Sequence, residues 1–112
     1  MKHLVFLMIL LTSNTYANSL TKEEFNQAMS YFNTEALKSL IESAVYNKKG
    51  QTYLMNMKSC ETLQLYQAKL EIAEENKHHY RTDYAFQKEL SQNKSYISTM
   101  RSALKEVGLS CN

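Results

Sequence analysis

The chain has 112 residues, no proline, no tryptophan and two glycines, Gly50 and Gly108. A β-sandwich or barrel needs a turn roughly every 8–12 residues; the residues that make such turns are missing, so an all-α protein with room for one small domain is expected. Thirteen Lys and Arg against 11 Asp and Glu give a net charge of +2, too balanced and too interspersed to mark a surface for nucleic acid or anionic membrane.

Residues 1–17 carry the order of a cleaved export signal: basic Lys2 and His3, the apolar run Leu4 to Leu11, then small and polar residues closing on Thr15-Tyr16-Ala17. The run holds eight residues, whereas a helix needs ~20 to cross a bilayer. Cleavage after Ala17 leaves a single domain over residues 18–112, and losing Lys2 lowers the basic count from 13 to 12 against 11 acids, a net of +1. The mature chain is therefore expected in the periplasm or outside the cell, and not as an integral membrane protein.

Two cysteines remain in that exported chain, Cys60 and Cys111. An even count in an oxidising compartment predicts one disulfide. Neither a C-x-x-C pair nor a second pair of ligands at zinc spacing is present to suggest redox or metal chemistry.

The first helix is expected over residues 22–47. Thr21 and Glu24 have the spacing of a capping box, and Leu20 and Phe25 that of a hydrophobic staple. Apolar residues follow at Phe25, Ala28, Met29, Phe32, Ala36, Leu37, Leu40, Ile41, Ala44 and Val45, which predicts one core-facing stripe. Lys48-Lys49-Gly50 supplies a basic last turn and a stop. The second helix, over residues 51–79, carries two stripes. Met55, Leu63, Tyr66, Leu70 and Ala73 form one; Leu54, Met57, Leu65, Ala68 and Ile72 form the other. A helix with two stripes packs on two sides, so this is the expected central helix.

The third helix, over residues 83–107, starts at the capping residues Thr82 and Asp83. It repeats Phe86, Leu90, Asn93, Ile97, Met100, Leu104 and Val107, with Asn93 either a buried register-setting residue or the edge of the seam. Disulfide closure requires the same turn. At ~1.5 Å rise per residue, a turn near residues 80–83 brings residue 103 level with Cys60, and Gly108 to Cys111 then folds back. The expected architecture is a small antiparallel three-helix bundle pinned by Cys60–Cys111.

The best cluster for chemistry is Glu74, Glu75, His78, His79 and Asp83. His78, His79 and Glu75 are the weak metal candidates: adjacent histidines on an α-helix point about 100° apart, and the spacing lacks H-E-x-x-H. No serine stands in a G-x-S-x-G context and no P-loop or dinucleotide fingerprint is present, so neither catalysis nor a cofactor is expected. Seven of eight tyrosines lie in the mature chain. Tyr80 and Tyr84, with Arg81 between them, make a candidate partner-binding patch at the proposed turn, because tyrosine combines an apolar body with a polar tip. The alternative is that these rings pack at the core boundary.

These features predict a non-enzymatic exported protein that binds a protein partner, most concretely as an immunity or inhibitor protein. An acid-stress chaperone and an accessory part of a secretion system share the same format, and a metal carrier using the His78–His79 region is the least favoured alternative.

Overall fold

The computed structural model describes residues 20–111; the export segment expected over 1–17 lies outside them. Three helices follow in order: α1, Lys22–Lys48; α2, Thr52–Asn76; and α3, Tyr84–Glu106, with a 3-10 turn, Lys77–Tyr80, between the last two. The described residues include no strand.

The caps explain these limits. Thr21 and Glu24 close a reciprocal capping box, Glu24 N–H to Thr21 Oγ1 at 3.1 Å and Thr21 N–H to Glu24 Oε1 at 2.9 Å. Both glycines sit in the left-handed region, Gly50 at φ 72° and Gly108 at φ 79°, where a side chain is disfavoured. Each closes a Schellman motif: Gln51 N–H reaches Tyr46 O at 2.9 Å, and Leu109 N–H reaches Leu104 O at 2.9 Å. Asp83 caps α3 by accepting from Phe86 N–H at 3.1 Å. The second helix ends earlier than expected. The backbone leaves α-helix at Asn76, at φ −119°, and its buried amide turns back to donate to Ile72 O at 3.0 Å.

Cys60 and Cys111 are bonded, with Cα atoms 5.3 Å apart. Gly108 folds the tail back so that Leu109 and Cys111 pack on Leu63, Ile97 and Leu104. The link joins the tail to early α2, as the closure argument requires.

The central position of α2 is also observed. Leu65, Ala68 and Ile72 pack with Phe25, Ala28 and Phe32 of α1, while Leu63, Tyr66 and Leu70 pack with Ile97, Met100 and Leu104 of α3. Late residues of α1 meet early ones of α2, since Ser43 Oγ donates to Met55 O at 3.2 Å and Ser39 Oγ to Lys58 O at 3.0 Å.

The core has two parts. At the end holding the 3-10 turn, all three helices meet: Leu20, Phe25 and Phe32 join Ile72, Ala73 and Leu90, with Phe86 against Phe25 at 5.9 Å between ring centroids. Towards the other end the buried apolar cluster among the described residues is built from α2, α3 and the tail. There α1 touches α2 through hydroxyls, and α1 and α3 lean on different sides of α2. The bundle is open rather than evenly packed.

This opening corrects the expected α1 stripe. The buried row is Phe25, Ala28, Phe32, Ala36, Ser39 and Ser43. Leu37, Leu40, Ile41, Ala44 and Val45 are exposed. The apolar list contains two rows about half a turn apart, and the row of small residues is the one that docks, because small side chains let two helices approach closely.

Candidate functional site

The turn between α2 and α3 gathers the residues singled out from the sequence, in contrasting environments. Tyr80 is half-buried: its ring stacks on Phe86 at 5.1 Å, lies 5.9 Å from Phe25, carries Lys22 Nζ over its face at 4.9 Å, and its hydroxyl donates to Asn26 Oδ1. Arg81 is exposed, and Tyr84 is 80% exposed. Of the three candidate contacts, Arg81 and Tyr84 are exposed, while Tyr80 ties α1 to the turn.

His78 and His79 differ from the expectation of divergent rings. The segment is a 3-10 turn, and the ring centroids lie 4.2 Å apart. His79 Nε2 lies 2.8 Å from Leu20 O, an acceptor, so this nitrogen carries the proton and holds the start of α1. Among the described residues no group of three or more His, Cys, Asp and Glu is placed to hold a metal ion.

The two glutamates nearby are opposite cases. Glu74 pairs with Lys94 at 2.6 Å and Lys77 at 3.3 Å, and these hydrogen bonds, Lys94 foremost, hold its pKa below the ordinary value. Glu75 has one carboxylate oxygen buried without a hydrogen-bond partner among the described residues. Burial first, and the neighbouring Glu71 charge second, push its pKa up.

The larger unassigned surface lies on α1. Leu37 is 56% exposed and Ile41 55%, with Leu40, Ala44 and Val45 also open to solvent. The spacing i, i+3, i+4, i+7, i+8 gives one continuous helical face. Ser39 and Ser43 of the same turns are buried against Ser59 and Thr62. Sequence periodicity missed this face because it merged both rows; the sequence signal was the row Ala28, Ala36, Ser39, Ser43.

A cleft leads to that face. It is lined by Asn26, Met29 and Asn33 of α1 and by Ala85, Phe86 and Glu89 of α3. Continued by helical register, Met29 and Asn33 run on into Leu37, Leu40 and Ala44. The matching row of α3 runs from Glu89 through Asn93 and Tyr96 to Met100. Between them stand Tyr66, whose ring meets Tyr96 at 4.7 Å, and the buried Lys69, whose Nζ bonds Glu89 at 2.9 Å.

No described helix is long and apolar enough to cross a membrane. No known protein family matches the chain, and comparison with curated proteins and with solved structures finds no match.

Proposed function

We propose that the chain is an exported, disulfide-stapled binding protein that works by docking a protein partner, with an immunity or inhibitor role as its most concrete form. One observation carries this reading: the fold leaves the row Leu37, Leu40, Ile41 and Val45 in solvent while it buries serines of the same helix. A continuous apolar helix face exposed to water is the feature by which helices recognise partners. Export is supported by the order of features in residues 1–17, and the oxidising compartment by the Cys60–Cys111 bond. A bridged scaffold also suits an inhibitor, since a preorganised surface loses less entropy on binding.

The test is capture from periplasmic extract on immobilised residues 18–112, beside Ile41→Glu, Tyr84→Ala and Arg81→Ala variants. All three positions are exposed, so the variants should keep the helical signal. One stoichiometric partner held by the wild type and lost by Ile41→Glu supports docking on α1. Loss with Tyr84→Ala or Arg81→Ala instead moves the contact to the turn. Recovery of nothing, or of many unrelated proteins, rejects the reading.

A further inference from the structure

The core divides along the chain, and the division crosses α3 at one residue. Leu90 belongs to the cluster that all three helices build, whereas Ile97 and Leu104 belong to the distal cluster with Leu63 of α2. Between them on the same row stands Asn93, which is buried, and its Nδ2 has no hydrogen-bond partner among the described residues. An unpaired buried donor makes closure around it costly, so the α2–α3 seam is weak at Asn93.

Beyond Asn93, α3 has few holds. Among the described residues α1 gives none to the distal cluster. The Lys94–Glu74 pair is partly exposed and adds little, and Tyr96, whose ring meets Tyr66 at 4.7 Å, is itself exposed. The tail closes this end. Gly108 turns it back, Leu109 and Cys111 pack on Leu63, Ile97 and Leu104, and Cys111 is bonded to Cys60. Leu109 is the only aliphatic side chain after Gly108, and ordering Gly108 to Cys111 costs more backbone entropy than burying one leucine returns. The bond therefore holds the tail. The capping box, the ring cluster of Phe25, Tyr80 and Phe86, and the hydroxyl seam between α1 and α2 all lie outside the distal cluster and do not lean on it.

Both cysteines are half-buried rather than enclosed, which leaves the bond open to a thiol from solvent. We infer that Cys60–Cys111 is a thiol-responsive gate: a dithiol reductant that opens it releases the tail and α3 beyond Asn93, and so uncovers the apolar side chains of Leu63, Ile97 and Leu104 while the three-helix end stays folded. A thiolate of the reductant attacks one sulfur and forms a mixed disulfide, and the other cysteine leaves. The reductant's second thiol then displaces the first cysteine and closes the reductant's own disulfide. Two electrons and two protons pass to the protein, and Cys60 and Cys111 end as thiols. This gate goes beyond the binding reading above and holds whether or not α1 docks a partner.

The test is amide hydrogen exchange read by NMR on residues 18–112, first oxidised, then with dithiothreitol, then reoxidised. Reduction should cut protection by at least ~30-fold, the lower end of what a native bridge contributes, in residues 94–107, in the tail and in the turn of α2 that holds Cys60. Residues 25–36 and 84–90 should keep theirs within ~3-fold, as they do when a unit opens locally. Reoxidation should restore the first profile, and Cys60→Ser with Cys111→Ser should give the reduced profile with no thiol present. In the reduced state Asn93→Leu should recover ~10-fold of the protection beyond residue 93, because it removes the unpaired donor.

An equal loss in every helix would make the bond a brake on global unfolding and overturns the gate. So does protection beyond Asn93 that survives reduction, or a loss confined to residues 108–111, which would leave α3 closed. A mass unchanged by dithiothreitol under folding conditions would show that the bond is out of reach of thiols and overturns it too. The point in α3 where wild-type protection falls locates the hinge without the variant; a fall beginning before Leu90, or no recovery in Asn93→Leu, removes Asn93 from that role.

Discussion

Thr62 Oγ1 and Ser39 Oγ lie 2.9 Å apart at the centre of the α1–α2 contact, and both reach the Lys58 carbonyl, at 2.8 and 3.0 Å. Ser43 and Ser59 repeat the arrangement one turn away, hydroxyl to hydroxyl at 2.9 Å. This seam holds α1 close through small side chains, Ala36 beside the serines, and the helix turns its leucines outward.

The seam makes a prediction that opposes a count of hydrophobic residues. Ser39→Leu adds an apolar side chain at a site 2% exposed, yet it should destabilise by about 1–3 kcal/mol because the close approach has no room for it. Thr62→Val keeps the shape and removes the hydroxyl, costing about 1 kcal/mol. Urea unfolding followed by circular dichroism measures both; a more stable Ser39→Leu protein would show that the helices are not tightly apposed.

The legible parts of the fold were those with local physical causes. Thr21, Glu24, Gly50, Asp83 and Gly108 act within one turn of backbone, so their effects were readable from spacing, and the cysteine pairing followed from the count of two, whose closure at helical rise then agreed with the caps on a turn at residues 80–83. The face of α1 was not legible, because whether leucines or serines dock depends on the partner surface of α2. At the turn, the type of each residue was visible but its environment was not. Tyr80 and Tyr84 are identical in sequence terms, and only the position of Phe86 and Asn26 decides that one ring is packed and the other free.

The Cys60–Cys111 bond spans a sequence separation of 51. On the chain-entropy account it restricts the unfolded chain by ~4 kcal/mol. Paired Cys60→Ser and Cys111→Ser replacement should lower stability by about 2–4 kcal/mol, with the greatest loss of amide protection in Leu109–Cys111 and in early α2. Hydrogen exchange locates the effect, and uniform loss across α1 would contradict a local role for the tail.

Glu74 and Glu75 should respond to pH with opposite signs. Glu74 is held below the ordinary value of 4.5 by Lys94 and Lys77, so its contribution is complete above that value and is lost as pH falls through the lower folded-state pKa. Glu74→Gln should therefore cost about 0.5 kcal/mol near pH 7, as partly exposed pairs do, and nothing at pH values well below both pKa values. Glu75 is raised above 4.5 by burial and by Glu71. Its ionisation is a cost near pH 7 that disappears as pH falls through the raised value, so Glu75→Gln should stabilise at neutral pH and lose that advantage in acid. Thermal midpoints from pH 7 to 3 for both variants check the signs. Acid loosening of the whole domain, needed for a stress chaperone, would require pairs like Glu74–Lys94 to outweigh groups like Glu75.

Asn93 supplies a test of what a polar residue does inside α3. It is 7% exposed on the row that includes Leu90, Ile97 and Leu104, and its Nδ2 has no hydrogen-bond partner among the described residues. Leaving a buried donor unsatisfied costs about 1–3 kcal/mol, so Asn93→Leu, close in volume, should stabilise by about 1–2 kcal/mol. A residue retained at such a cost is expected to set register or association. The variant should then show either a second set of amide resonances for α3 or a higher mass by sedimentation. A stabilised protein with one set of resonances and unchanged mass would leave Asn93 no register role within the chain alone. A destabilised one would show that the amide finds a partner in solution.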